Sequence, residues 1–160
     1  MASDERVRLA ELVPEENIIP ELKATGKEGA IRELVKKLSD SGVITARQVK
    51  HLTETILERE RLGSTGIGNS VAVPHAKLAG LKEAVGVFGR STKGIDFASL
   101  DGAVTHSIFL FLSPADFPDK HIKLMSRFVT LMRKGDFIKF LRQTEGRKAL
   151  HDFLKEVDEW

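Results

Sequence analysis

One run of the chain, residues 107–112, sets the strongest limit on the fold. It reads SIFLFL, and after its first residue it lacks the apolar and polar alternation of a strand with one solvent-exposed face. Such a strand is covered on both faces, which requires a sheet between two layers of helices. Apolar residues recur at helical spacing both before and after the strand region. We therefore expect an α/β fold with a mixed central β-sheet flanked by helices on both faces, a single-domain layer sandwich over residues 1–160.

The spacing of polar residues indicates where the helices begin. Thr25 followed by Glu28, and Thr45 followed by Gln48, have the spacing of a capping box and predict two helices before the glycine-rich stretch that starts at Gly63. Further strands are predicted at 17–22, 71–73, 84–88 and 95–97, and three helices from about residue 121 onward, the last with Thr144 as a candidate cap.

Composition limits the classes of function. The 160 residues are 41% hydrophobic and 30% charged, as in ordinary soluble proteins, and a formal net charge of +2 is too small to indicate nucleic-acid binding. The longest apolar run, residues 108–112, is far too short for membrane insertion, and the N-terminus lacks the apolar stretch of a signal peptide. No cysteine is present, which excludes a disulfide or a thiol nucleophile. We expect a cytoplasmic protein.

The most informative candidate for chemistry is His75, in the stretch 63–77, which reads GSTGIGNSVAVPHAK. Pro74 restricts the backbone and removes a donor, so a strand should end there. The preceding glycines allow close approach to a phosphate, and backbone N–H groups around Gly68 and Asn69 can form an anion-binding nest. A neutral imidazole beside such a loop is a candidate acceptor of a phosphoryl group.

Other ligand sites fit the sequence poorly. Asn69 stands where a P-loop needs lysine, and the dinucleotide-binding fingerprint fails at Val71. The five histidines, at positions 51, 75, 106, 121 and 151, have no metal-binding spacing, so we expect neither a metal nor another cofactor. The basic residues of 133–148 are interleaved with acidic and apolar ones, which indicates a solvated helical face rather than a nucleic-acid site.

Three segments carry a resemblance to a known family. Residues 58–75, ERERLGSTGIGNSVAVPH, resemble the active-site motif of the IIA domains of the bacterial phosphoenolpyruvate-dependent phosphotransferase system, in the fructose, mannitol and nitrogen-regulatory branch. Residues 89–102, GRSTKGIDFASLDG, resemble the next segment of that family, and residues 121–124 resemble the region of its second active-site histidine. The resemblance covers a core of roughly 12–155. One departure is Ser70, where the family usually has glycine.

The resemblance implies roles for His75, His121 and Arg59. His75 would be phosphorylated by a phosphohistidine on the carrier protein HPr or on its nitrogen-branch counterpart. His121 would lie against His75 and donate a hydrogen bond to the phosphoryl group. Arg59 matches the family's arginine, although it is equally well placed to satisfy the C-terminus of its helix. Lys77 could add a positive charge, with a solvated side chain as the competing interpretation.

The acceptor and the branch of the family stay open at this stage. No cysteine-bearing IIB domain is present, so a separate IIB protein or a regulatory target would take the phosphoryl group. The stand-alone length and the PHAKL form of residues 74–78 favour the nitrogen-regulatory type over the fructose-specific type. The alternative from another class is a regulatory docking module, with phosphorylation as a switch or absent. The nitrogen of His75 that would be phosphorylated is not predicted.

Overall fold

In the computed structural model, which describes residues 7–160, a six-stranded mixed sheet separates two groups of helices. The helices are α1 (Leu9–Leu12), α2 (Lys27–Asp40), α3 (Ala46–Leu62), α4 (Pro118–Met132), α5 (Gly135–Gln143) and α6 (Arg147–Val157), with a 3₁₀ helix at Glu15–Asn17. The strands are β1 (Ile18–Ile19), β2 (Gly66–Gly68), β3 (Val71–Ala72), β4 (His75–Leu78), β5 (Val85–Ile95) and β6 (Thr105–Pro114). The predicted α/β class is confirmed.

Strand β6 is the centre of the sheet. Along one side it pairs antiparallel with β5, and along the other it pairs in parallel with β3 and then with β4. The short strand β1 extends the outer side of β5 in parallel, and β2 pairs antiparallel with β3. The sheet therefore mixes both kinds of pairing.

Both faces of β6 are buried, as its sequence predicts. Ile108, Leu110 and Leu112 belong to a core that includes apolar residues of α2 and α3. Phe109 and Phe111 point the other way, into a core shared with α1, α4, α5 and α6. The ring of Phe128 meets that of Phe109 edge-on at 5.1 Å between centroids. Each such buried side chain contributes about 1.5–3 kcal/mol to stability, so β6 ties both helical layers to one sheet.

One of the two predicted capping boxes is correct. At the start of α3, the backbone N–H of Thr45 donates to Oε1 of Gln48 at 2.8 Å. The box predicted at Thr25 is wrong, because Gly26 is the extended residue that precedes α2. Its partner Glu28 instead accepts a hydrogen bond from Arg32, one turn later, at 2.8 Å.

The cap predicted for the last helix is also wrong. Thr144 follows the end of α5, and its hydroxyl donates back to the carbonyl of Phe140 at 2.6 Å. Helix α6 begins instead after Gly146, whose φ of 91° is one that glycine adopts without strain. Thr144 therefore ends one helix rather than starting the next.

Two predicted strands differ in extent. The strand expected at 84–88 is part of a longer strand, β5, which continues to Ile95 with an irregularity in its pairing between Arg90 and Ile95. Of the strand expected at 95–97, only Ile95 belongs to β5. The strand expected at 17–22 is reduced to β1, since Pro20 follows it and has no N–H to donate. It stands at the end of the strand order, at the edge of the sheet.

Candidate functional site

His75 is positioned by an interruption in the sheet. Ala72 at the end of β3 pairs with Ile108, and His75 at the start of β4 pairs with Phe111 in the same register. Pro74 lies between them and cannot donate to the ladder, although its carbonyl accepts the N–H of Phe111 at 3.1 Å. A strand does end before Pro74, as predicted, but a second strand follows at once and begins with His75.

One ring nitrogen of His75 is held by the backbone. Nδ1 lies 2.8 Å from the carbonyl oxygen of Val73. A carbonyl oxygen only accepts hydrogen bonds, so Nδ1 carries the hydrogen and Nε2 of the neutral ring keeps its lone pair. Val73 is itself anchored, because its N–H donates to the carbonyl of Thr65 at 3.0 Å. In this half-buried ring, Nε2 is therefore the nitrogen that is left without a hydrogen.

His121 lies beside His75. It stands in the first turn of α4, four residues after Phe117, and the two imidazole rings are 5.5 Å apart between centroids at an angle of 40°. Its Nδ1 lies 2.8 Å from Oγ of Ser113, near the end of β6. Burial of the ring lowers the pKa of His121, and the neighbouring His75 and Lys77 lower it further. His121 is therefore a neutral imidazole at neutral pH.

Lys77 shares the face of β4 on which His75 lies, since alternate residues of a strand point to the same side. Its side chain is exposed, and its register partner on β6 is Ser113. It is close enough to His121 to lower the pKa of that ring. The structure thus brings His75, His121 and Lys77 into one cluster. A contact between Lys77 and a bound phosphoryl group stays a prediction.

Arg59 lies in the last turn of α3. Its Nη1 donates to the carbonyl of Gly63 at 2.9 Å, where the helix leaves its last carbonyls without partners. This contact matches the helix-terminus interpretation. A contact between Arg59 and a bound phosphoryl group stays a prediction.

The backbone of the glycine-rich stretch is engaged by a carboxylate. The N–H of Asn69 donates to Asp101 at 3.1 Å, and a Cβ added to Gly68 would lie 3.2 Å from the same carboxylate oxygen. The N–H of Ala103 also donates to Asp101, at 3.0 Å, and these two hydrogen bonds lower the pKa of Asp101. Phosphate binding by Gly68 and Asn69 stays a prediction, and it requires displacement of Asp101.

Nothing in the described part of the chain suggests a metal site. Within residues 7–160, no group of three or more histidine, aspartate or glutamate side chains is placed to hold a metal ion. In the same range, every helix is too short or too polar to span a bilayer.

A comparison with protein families places this chain in a known class. Residues 11–157 match the family described as "Phosphoenolpyruvate-dependent sugar phosphotransferase system, EIIA 2". The chain belongs to this family. The match covers nearly all of the chain, so the resemblance drawn from residues 58–75 is confirmed, and with it a phosphoryl-carrier role in that system.

Relatives of this EIIA 2 protein come from two branches. A nitrogen regulatory protein of Bradyrhizobium diazoefficiens is 36% identical over 146 residues, which cover 91% of this chain and 94% of the relative. The fructose-specific EIIABC component of Bacillus subtilis is 34% identical over 152 residues, which are 95% of this chain but only 24% of that relative. In structure, the nitrogen regulatory protein IIA-Ntr of Neisseria meningitidis superimposes with a TM-score of 0.80 at 26% identity, over 91% of this chain and 98% of that one.

Sequence reasoning missed two parts of the EIIA 2 site. The first is Ser113, whose signal was a single polar residue next to the otherwise apolar run of β6. The second is the buried Glu60, which forms an ion pair with Lys27 at 2.7 Å and binds Thr65 at the start of the glycine-rich stretch. Its signal was weak, because Glu60 lies in a run of charged residues that looks uniformly solvent-exposed.

Proposed function

We propose that this EIIA 2 protein carries its phosphoryl group on Nε2 of His75 and receives it from a phosphohistidine of HPr or of its nitrogen-branch counterpart. The observation that carries the proposal is the hydrogen bond between Nδ1 of His75 and the carbonyl of Val73, because it leaves Nε2 as the nucleophile. The cytoplasmic location expected from the sequence is part of the same proposal.

The transfer needs no metal or cofactor. The lone pair of Nε2 of His75 attacks phosphorus, a P–N bond forms there, and the P–N bond to the donor histidine breaks. A donor ring protonated on its other nitrogen leaves as neutral imidazole, while His75 keeps its hydrogen bond to Val73 throughout. The protein supplies positioning and positive charge, which is most of what phosphoryl transfer requires.

The neighbouring side chains suit the charge on the transferred group. His121 lies within 5.5 Å of His75 between ring centroids, so a ring N–H of His121 can donate to a phosphoryl oxygen. Lys77 adds a cation from the same face of β4. Arg59 would also contribute if the hydrogen bond from its guanidinium group to the carbonyl of Gly63 were broken. The planar guanidinium group can donate two parallel hydrogen bonds to phosphate oxygens.

We assign the protein to the nitrogen-regulatory type. The Bradyrhizobium nitrogen regulatory protein is 36% identical to this chain, whereas two fructose-specific relatives are 34% and 30% identical. The Neisseria IIA-Ntr structure, which superimposes with a TM-score of 0.80, supports the same type. The phosphoryl group would then act as a charge signal to a regulatory target. The fructose-specific type, with a separate IIB protein as acceptor, is the alternative.

Intact mass spectrometry after incubation with phosphoenolpyruvate, enzyme I and HPr tests the carrier role. We expect one acid-labile phosphoryl group on the native protein and on a His106→Ala control, and none on His75→Ala. His106 is a matched control because it is also half-buried, with Nδ1 held by a backbone carbonyl, that of Ser91, at 2.8 Å. No transfer from a HPr that phosphorylates other IIA proteins, and none from the nitrogen-branch carrier, would leave the docking module as the function.

Two further measurements resolve the details. In protein with ¹⁵N-labelled histidine, coupling between phosphorus and one ring nitrogen identifies the phosphorylated atom, which we expect to be Nε2 of His75. Transfer rates from HPr and from the nitrogen-branch carrier, measured side by side, separate the two types. A higher rate from the nitrogen-branch carrier is expected, and the reverse order would favour the fructose-specific type.

A further inference from the structure

Ser113 is a buried hydroxyl at the edge of the histidine pair. It stands near the end of β6, is completely buried, and places its Oγ 2.8 Å from Nδ1 of His121. We propose that Ser113 is a positioning residue that donates its hydrogen to Nδ1 of His121 and so holds that ring in the tautomer with hydrogen on Nε2. The proposal rests on the proposed function, because it matters for phosphoryl transfer at His75.

The direction of this hydrogen bond follows from what surrounds the hydroxyl. Among residues 7–160, the one side-chain hydrogen bond of Ser113 joins its Oγ to Nδ1 of His121. If Nδ1 were the donor, the hydroxyl hydrogen of Ser113 would be buried with nothing to accept it. Leaving that buried hydrogen without an acceptor costs free energy, so the arrangement in which Ser113 donates is the more stable of the two. Ser113 is therefore the donor and Nδ1 the acceptor.

The resulting tautomer makes the two histidines complementary. In His75, the carbonyl of Val73 accepts from Nδ1, which leaves a lone pair on Nε2 for attack on phosphorus. In His121, the hydroxyl of Ser113 donates to Nδ1, which leaves a hydrogen on Nε2 to donate to a phosphoryl oxygen. The opposite tautomer of His121 would turn a lone pair toward the negatively charged oxygens. The carbonyl at Nδ1 of His75 and the hydroxyl at Nδ1 of His121 thus give the two rings opposite roles. His75 presents a lone pair, and His121 presents an N–H.

The tautomer matters because His121 has a single ring hydrogen. Burial and the nearby His75 and Lys77 lower the pKa of His121, so the ring is neutral under working conditions. A protonated ring would donate from both nitrogens and would not need Ser113. A neutral ring presents a donor to the phosphoryl group only when its hydrogen is on the correct nitrogen.

Ser107 offers a matched control on the same strand. It is also completely buried in β6, but its Oγ has no hydrogen-bond partner among the residues that the structure describes. Ser107→Ala therefore removes a buried hydroxyl of the same strand without touching either histidine. Any general effect of such a loss on folding is shared by the two variants.

The test has a spectroscopic and a kinetic readout. Two-bond ¹H–¹⁵N spectra of the unphosphorylated protein report which ring nitrogen of His121 carries hydrogen. In the native protein we expect hydrogen on Nε2, with the Nδ1 resonance shifted by its accepted hydrogen bond. In Ser113→Ala that shift is lost and the other tautomer becomes populated, while Ser107→Ala matches the native spectrum. Transfer to His75 slows about tenfold in Ser113→Ala and is unchanged in Ser107→Ala.

Two results would overturn the proposal, and neither depends on the carrier role. Hydrogen on Nδ1 of His121 in the native protein would show that Ser113 accepts rather than donates. An unchanged His121 spectrum in Ser113→Ala would show that the hydroxyl does not set the tautomer. Failure of the native protein to accept a phosphoryl group would instead count against the proposed function, since the spectra are recorded without any donor.

Discussion

The carboxylate of Glu60 accepts hydrogen bonds from both the backbone N–H and the hydroxyl of Thr65, five residues later in the chain. The side chain of Glu60 is only 3% exposed, and Lys27 of α2 pairs with it at 2.7 Å. The carbonyl of Thr65 accepts the N–H of Val73, and the carbonyl of Val73 holds Nδ1 of His75. A continuous series of contacts therefore joins the end of α3 to the imidazole of His75.

Removal of the Glu60 carboxylate should destabilise the protein. Glu60→Ala leaves the N–H of Thr65 and the ammonium group of Lys27 without their buried partner, which costs about 2–4 kcal/mol in the free energy of unfolding. Urea denaturation measures the loss. Glu58→Ala, an exposed position on the same helix, should unfold at the native midpoint. Equal midpoints for both variants would mean that Glu60 does not anchor the stretch.

Lys77 should contribute to the lowered pKa of His121, after burial and the neighbouring His75. In an NMR titration, His121 has a pKa below its ordinary value of 6.5, and Lys77→Gln raises that pKa because a nearby positive charge is removed. Lys50→Gln, which removes an exposed lysine of α3, leaves the pKa of His121 unchanged. If Lys77→Gln left the pKa of His121 unchanged, the charge of Lys77 would not act on that ring.

The same titration has a consequence for stability. The folded protein binds fewer protons at His121 than the unfolded chain does, because the pKa of His121 is lowered in the folded state. The neutral ring of His121 makes its full contribution to the free energy of unfolding above pH 6.5, the pKa of the unfolded state. That contribution is lost as the pH falls from 6.5 through the lower pKa of the folded state. Denaturation at several pH values should show that loss in the native protein and a smaller one in His121→Ala.

Ser70 is a position where glycine should be better. It occupies the turn between β2 and β3 with φ of 66°, in the left-handed region that residues other than glycine rarely adopt. Ser70→Gly should stabilise the fold by about 1 kcal/mol and raise the melting temperature by about 2–4 °C, despite the loss of an exposed hydrogen bond from Arg142. Thermal unfolding measures the change.

The same substitution at a position with ordinary backbone is the control. Ser41 follows α2 with φ of −87°, so Ser41→Gly brings no relief of strain and adds freedom to the unfolded chain. We expect its melting temperature to stay the same or fall. If both glycine variants shifted the melting temperature in the same direction, backbone strain at Ser70 would be the wrong explanation.

Gly86 leaves room for the ring of Phe111, the register partner of His75. A Cβ added at Gly86 would lie 2.7 Å from Cδ1 of Phe111, closer than side-chain carbons pack. Gly86→Ala should therefore lower the free energy of unfolding by about 1–3 kcal/mol. Gly135→Ala, at a helical position with open space around its Cα, should be neutral or slightly stabilising. If Gly86→Ala were as stable as the native protein, the ring of Phe111 would be able to move aside without loss of free energy.

Much of the fold was predictable because the patterns that specify it are local. The apolar run of β6 required cover on both faces, and the Thr45 and Gln48 pair marked the start of α3. The capping box predicted at Thr25 has the right spacing but does not form, because Gly26 is the residue that precedes α2 and the carboxylate of Glu28 pairs with Arg32. Spacing alone does not distinguish these outcomes.

The sequence by itself determined the layered α/β architecture, the exclusion of thiol chemistry and the proposal of His75 as the phosphoryl acceptor, since these depend on residue type and short-range pattern. The tertiary structure decided which ring nitrogens of His75 and His121 carry hydrogen. The free nitrogen of His75 depends on a ring orientation held by the Val73 carbonyl, and the neighbour of His121 is Ser113 from another element. Hydrogen-bond direction and pKa depend on which atoms meet in space, and folding alone brings those atoms together.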